Sequence, residues 1–185
     1  MEWKGLHAGS VKCLNTLWGI GYAAYPVGGC VRDLLLGREP GDVDICTAAH
    51  PETVMNLFEK AIPTGLPHGT VTIPTETGNV EITTFRREGG YADARHPDSV
   101  TFNAGLLEDL SRRDFTVNAM ALGPEGNIID PFGGREDLER GVIRSVGEPD
   151  RRFSEDALRM LRGVRFCAQL GFTMEEETAA ALRRN

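Results

Sequence analysis

The segment from Tyr25 to Ile45 constrains this chain more than any other. A short apolar strand, Tyr25-Pro26-Val27, runs into Gly28-Gly29. A helical stripe of Val31, Leu34 and Leu35 follows and is stopped by Gly37 and Pro40, after which a second strand carries Asp42 and Asp44. Residues two apart on a strand leave the same face, so two carboxylates emerge together, a costly arrangement without a cation. Paired magnesium ions bridged by such carboxylates would activate an attacking hydroxyl and stabilise a leaving pyrophosphate. By itself an Asp-x-Asp also reads as a solvated strand end. The glycines add context, because at a helix start the backbone can approach a phosphate closely and unpaired amides favour an anion. Arg32, one turn on, can clamp triphosphate oxygens, with Asp33 beside it to orient the guanidinium.

On either side the pattern is that of a mixed α/β unit. Ser10 can cap a first helix bearing Val11, Leu14, Leu17 and Trp18, ending near Gly19 and Gly21. Pro51-Glu52 opens another, with Val54, Met55, Leu57 and Phe58. The alternating runs Thr70 to Ile73 and Val80 to Phe85, separated by Glu76-Thr77-Gly78-Asn79, predict an antiparallel hairpin. Arg86 to Asp109 holds Gly89-Gly90, Pro97 and many charges and reads as a mobile loop. From Phe153 the spacing turns helical through Leu158, Leu161, Val164 and Phe166. The expected architecture is an α/β head with a mixed sheet over residues 1–149 and the start of an all-α neck over 150–185, the boundary falling near Gly147 to Asp150. Ala179-Ala180-Ala181-Leu182 ends without a cap, so the chain is expected to be cut inside a larger helical region.

No run approaches the roughly 18 apolar residues of a membrane span, and Met1-Glu2-Trp3-Lys4 lacks a signal-peptide core, which together predict a cytoplasmic protein without membrane contact. The formal net charge of −7 excludes wrapping nucleic acid by overall charge, so any RNA contact must be local. Positive charge does gather late in the chain, at Arg151, Arg152, Arg159, Arg162, Arg165, Arg183 and Arg184. Cys13, Cys30, Cys46 and Cys167 show no metal-ligand spacing and suit buried thiols, while His68 and His96 read as loop hydrogen-bonders.

The run Val27-Gly28-Gly29-Cys30-Val31-Arg32-Asp33-Leu34-Leu35-Leu36-Gly37, followed by Gly41-Asp42-Val43-Asp44-Ile45, closely resembles the signature of class II CCA-adding enzymes and bacterial poly(A) polymerases, within the polymerase-beta nucleotidyltransferase superfamily. The likeness continues through Arg112-Arg113-Asp114-Phe115-Thr116-Val117-Asn118-Ala119, through Asp130 to Arg135, and through Arg152-Phe153-Ser154-Glu155-Asp156-Ala157-Leu158-Arg159 to Arg162. The resemblance implies that Asp42 and Asp44 are catalytic ligands of Mg2+. It also implies that Gly29, Arg32 and Arg113 contact the nucleotide, with Asp114 and Asn118 placed to meet the ribose. Without it, Arg112-Arg113 reads as a solvated helix face.

Asp156 and Arg159 stand three apart, a spacing that suggests an intrahelical salt bridge. The resemblance offers a sharper role. Cytosine and adenine both present an amino donor beside a ring-nitrogen acceptor, and guanine and uracil the reverse, so a carboxylate and a guanidinium fit the first pair. In that family the pair acts as a protein template choosing CTP or ATP, with Arg162 and Arg165 matching further nucleotide-site arginines. Superfamily topology makes Glu81 the third carboxylate, and a solvent-facing strand charge is the other reading. Glu88 to Asp98 resembles the flexible loop used for the final adenosine. The implied reaction is template-independent addition of CCA to a tRNA 3′ end from CTP and ATP. A poly(A) polymerase of the same class, or a nucleotide-binding module without turnover, are the alternatives.

Overall fold

A computed structural model describes residues 3–90, 95, 97–102 and 104–185. Helix α1 (Ala8–Gly19) leads to strand β1 (Ala24–Val27), helix α2 (Gly29–Leu35), strand β2 (Val43–Thr47) and helix α3 (Pro51–Leu57). Strands β3 (Ile62–Gly65), β4 (Thr70–Thr75), β5 (Gly78–Thr84), β6 (Arg87–Gly89) and β7 (Ser99–Thr101) precede helix α4 (Leu106–Ser111). A 3₁₀ turn at Thr116–Asn118 is followed by β8 (Ala121–Leu122), β9 (Ile128–Ile129), helix α5 (Gly134–Arg140) and β10 (Val142–Ile143). Helices α6 (Pro149–Glu155) and α7 (Leu158–Leu170), strand β11 (Thr173–Met174) and helix α8 (Glu176–Arg184) complete the chain.

Seven strands form one mixed sheet in the order β3-β4-β5-β2-β1-β8-β9, parallel only between β2 and β5. Strand alternation divides its residues cleanly. Val43, Ile45, Val80 and Ile82 turn to one face and pack against Cys13, Leu14 and Leu17 of α1, Val31 of α2 and Val54 of α3. Val27 and Cys46 turn to the other, where Phe85 and Leu110 of α4 cover them. Asp44 and Glu81 share that second face by the same alternation. A further apolar cluster joins Phe115, Val117, Leu138 and Ile143 to Phe153, Phe166 and Ala181, so residues on both sides of position 149 share one core. The parallel pairing of β10 with β11 reinforces that join.

Several local expectations shift. α1 begins at Ala8 after an extended His7, and Ser10 is buried inside the helix rather than capping it. The ring of His7 is held instead, its Nε2 lying 2.7 Å from the Pro40 carbonyl. The hairpin turn is tighter than the predicted four residues. Thr75 pairs with Gly78 around Glu76-Thr77, and the Thr75 hydroxyl donates to the Gly78 carbonyl at 2.6 Å. The segment 86–109 is not loop throughout, because β6 and β7 pair antiparallel and α4 starts at Leu106. Charge chemistry accounts for that order: Glu88 pairs with Arg86 and Arg112, and the Glu108 carboxylate accepts from the Gly105 N–H at 2.7 Å. Cys13, Cys30 and Cys46 are buried free thiols, as expected. Among the described residues no helix is long and apolar enough to cross a membrane.

Candidate active site

The site is built where β1 ends and β2 begins. Across the sheet Val27 lies opposite Asp44, Asp44 opposite Glu81, and Glu81 opposite Thr72. This register sets two carboxylates side by side on adjacent strands, with Asp42 exposed just ahead of β2. Burial raises the proton affinity of Asp44, and Asp42 raises it further, against the opposing pull of Arg113 and Arg162. Glu81 is raised likewise by burial, then by Asp44 and Asp42. Acidic groups that make ionisation harder for each other present the electrostatic problem that a divalent cation relieves. Among the described residues no three His, Cys, Asp or Glu side chains converge enough to hold an ion unaided. The carboxylates therefore fit a divalent cation only where further oxygen ligands come from outside the protein.

Gly28 bridges the sheet to α2 with φ +75°. A Cβ there would stand 2.8 Å from Arg113 Nη1 and 3.8 Å from Asp44 Oδ2. Only glycine suits that backbone and that approach. Gly29 starts α2, and Arg32 one turn later is clamped on both sides. Its Nε donates to Asp33 Oδ1 at 2.9 Å and its Nη1 to Asn118 Oδ1 at 2.8 Å. The orienting role expected of Asp33 is thus realised, and Asn118 adds a second hold.

The Arg112-Arg113 pair is not a solvated face. Asp109, fully buried, accepts from Arg112 at 2.9 Å and from Arg113 at 3.4 Å. Burial opposes the Arg113 charge, yet Asp109 foremost, with Asp44 and Asp114, holds its pKa above the ordinary arginine range. Its Nε is a buried donor without a hydrogen-bond partner. Asp114 Oδ2 accepts from Arg162 Nε at 2.7 Å, and Asp114 Oδ1 accepts from Asn118 Nδ2 at 3.2 Å. Asp33, Arg32, Asn118, Asp114 and Arg162 therefore make one continuous chain of contacts.

Asp156 and Arg159 do not pair with each other. The helical run expected from Phe153 breaks at Asp156, whose φ −148° and ψ 105° are extended. Its Oδ1 accepts from the Leu158 N–H at 3.0 Å, capping the start of α7. Arg159 turns back instead, donating to Glu155 Oε2 at 2.9 Å and to the Arg112 carbonyl at 3.2 Å. Glu155 also accepts from Arg152 at 2.7 Å. The sequence reading gave Glu155 no role, although its spacing from Arg151, Arg152 and Arg159 was legible as helical ion pairing.

One cleft of about 550 Å³ brings together Gly29, Arg32, Asp44, Arg113, Asp156, Arg159 and Arg162. Arg165 does not line it and instead lies over the ring of Phe166. Arg86 and Arg112, unassigned in sequence, also face the cleft. His68 lines it too, and its carbonyl accepts from Arg86. Of the segment resembling a flexible loop, residues 91–94 and His96 lie outside the described residues.

Residues 24–144 match the family described as the poly A polymerase head domain. The chain is 58% identical over 165 residues to the CCA-adding enzyme of Geobacillus kaustophilus, covering 89% of this chain and 41% of that protein. It is 56% identical over 176 residues to the CCA-adding enzyme of Lactobacillus helveticus, covering 95% and 44%. Among solved structures it superposes on the Bacillus stearothermophilus CCA-adding enzyme in complex with CTP with TM-score 0.87 and 51% identity, over 95% of this chain and 42% of that one. A tRNA nucleotidyltransferase complexed with a primer tRNA and an incoming ATP analog matches with TM-score 0.73 and 35% identity, over 93% and 49%. The chain thus spans less than half the length of these relatives.

Proposed function

The chain belongs to the poly A polymerase head-domain family, and we propose on that footing that it forms the catalytic head and first neck helices of an RNA nucleotidyltransferase that adds CCA to tRNA 3′ ends from CTP and ATP. The observation that carries this reading is the convergence, in one cleft, of the Asp44 carboxylate, the Gly28-Gly29 turn with Arg32, and the start of α7 with Asp156 and Arg159. Those are three chemically different subsites, for metal, phosphate and base. The relatives crystallised with CTP, with ATP and with primer tRNA support the choice of ligands.

Asp42 and Asp44, with Glu81 alongside, would hold Mg2+, which when bound supplies Lewis-acid stabilisation of the charge that develops at phosphorus. Arg32, Arg113 and Arg162 bind and orient the triphosphate, Arg165 adds positive charge from over the Phe166 ring without lining the cleft, and Gly29 lets the phosphate oxygens approach the backbone. The primer 3′-oxygen forms a bond to the α-phosphorus as the bond to pyrophosphate breaks, so no covalent enzyme intermediate is required. Asp156 accepts from the exocyclic amino group of cytosine or adenine while Arg159 donates to the ring nitrogen, a pattern that rejects uracil and guanine. The head is taken to end at residue 149 and the neck to begin at 150, and the tRNA substrate sets the place of action in the cytoplasm.

The test incubates the full-length protein with a tRNA lacking its 3′ terminus, supplying CTP and ATP singly and together. The expected product gains two cytidines from CTP alone and a terminal adenosine when both are present. Long adenosine tails from ATP alone would replace this reading with poly(A) synthesis. Nucleotide binding without any transfer would reduce the chain to a binding module.

A further inference from the structure

Phe166 sits on α7 with only 6% exposure. Its ring meets the buried ring of Phe115 edge-on, with centroids 5.9 Å apart and an interplanar angle of 84°. Three guanidinium carbons lie over the Phe166 ring: Arg165 at 5.0 Å from the centroid, Arg32 at 5.4 Å and Arg162 at 5.4 Å. A ring has two faces, so at least two of the three cations share one. Arg32 comes from α2 and is fixed by Asp33 and Asn118, while Arg162 is fixed by Asp114. Arg165 forms no ion pair among the described residues, which leaves the ring as its contact with the site.

Cations this close repel one another, and the negative face of an aromatic ring is one of the few uncharged groups that attracts them. An aliphatic side chain of similar size would fill the same space without that attraction. The ring is also where the two walls of the cleft touch, because Arg32 belongs to the glycine-turn wall and Phe166 to the helix whose first residues read the base.

Resting on the nucleotidyltransferase reading above, we propose that Phe166 is a positioning residue of the reaction. Its π face sets the spacing of Arg32, Arg162 and Arg165 for a polyphosphate and ties the phosphate-gripping end of α2 to the base-reading start of α7. Phe166 itself touches no reacting atom. Its bulk serves the core through Phe115, and its quadrupole serves the arginines.

These two contributions separate experimentally. In the full-length protein, phenylalanine analogues with one, two and three ring fluorines at position 166 keep the shape and progressively cancel the negative face, while Phe166→Tyr keeps the face. The expected result is a stepwise rise in KM for CTP and ATP along the fluorinated series, reaching roughly tenfold, with kcat changed by less than about twofold. Affinity for inorganic tripolyphosphate, measured by calorimetry without primer, falls in parallel, and Phe166→Tyr stays near the parent. Phe166→Leu shows the same loss if it folds, and the fluorinated series decides the matter if it does not. A flat series in both KM and tripolyphosphate affinity overturns the proposal. Failure of the parent protein to transfer any nucleotide overturns the nucleotidyltransferase reading instead, and the tripolyphosphate trend then decides the role of Phe166 on its own.

Discussion

Arg159 is held by Glu155, four residues before it, with 2.9 Å between Nη1 and Oε2, and makes no bond to the side chain of Asp156 between them. The break in the helix at Asp156 separates the two acids by function. Glu155 holds the guanidinium, and Asp156 gives one oxygen to the helix start and lines the cleft.

If Glu155 is the residue that aims Arg159, Glu155→Gln should loosen base choice before it harms turnover. Removing one charge-assisted hydrogen bond of this kind is worth about 1.5–3 kcal/mol, so discrimination between CTP and UTP should fall by roughly ten- to a hundredfold. Competing kcat/KM values for the two nucleotides measure it. An unchanged ratio in a folded variant would show that Arg159 is aimed by its backbone contacts alone.

The raised proton affinity of Asp44 fixes a sign for stability. A carboxylate that binds its proton more tightly folded than unfolded favours the folded state at low pH. That contribution is lost as pH rises through the folded pKa, because the unfolded chain then binds fewer protons than the native one. Metal-free protein should therefore gain thermal stability from Asp44→Asn at neutral pH and gain little in acid. Millimolar Mg2+ should raise the parent Tm and leave the variant unmoved. Calorimetric scans with and without the ion check both points, and equal Mg2+ responses would remove Asp44 from the metal site. Transfer activity in the variant should drop on the order of a thousandfold.

Gly28→Ala places a methyl group 2.8 Å from Arg113 Nη1 on a backbone at φ +75°. The strain should cost about 1–3 kcal/mol, read from the shift of a urea unfolding midpoint. Nucleotide KM should rise as well, since Arg113 must move. Parent-like values in both would mean that the turn relaxes without penalty.

Asp109 is fully buried between Arg112 and Arg113, so Asp109→Asn removes the ion-pair partner of Arg113 and leaves Arg112 with Glu88 alone. Breaking one partner of a buried pair typically costs about 3–5 kcal/mol, and equilibrium denaturation should report a loss of that size. A loss within experimental error would mean that water reaches the arginines after all.

The contributions of sequence and tertiary structure separate residue by residue. The glycine turn, Asp44 and Arg32 were readable because strand alternation and helix start signals act over a few neighbours, whereas Asp42, expected on the same strand face as Asp44, lies exposed ahead of β2 and outside the cleft lining. The hairpin was readable too, although its turn closes two residues tighter than Glu76 to Asn79 suggested, since Thr75 folds its hydroxyl onto the Gly78 carbonyl. The contacts of Arg113 were hidden, because a doublet of arginines looks solvated until α4 brings Asp109 beneath it. The break at Asp156 was hidden for a similar reason. Its flanks are good helix formers, and the Arg159 contact that accompanies the break goes to the Arg112 carbonyl, far away in the chain. The clustering of three arginines around Phe166 depends on α2 meeting α7 across more than a hundred residues of chain, which no local pattern encodes.

The sheet register puts Asp44, which lines the cleft, between Val27 and Glu81. Acids and guanidinium groups share that lining, Asp44, Asp114 and Asp156 beside Arg32, Arg113 and Arg162, so the cavity carries both signs of charge rather than one. An anionic ligand would be drawn to the arginines and, without a cation, repelled by Asp44, so charge alone would orient it in the cleft. Where that repulsion sits is set by how β1 and β2 are aligned.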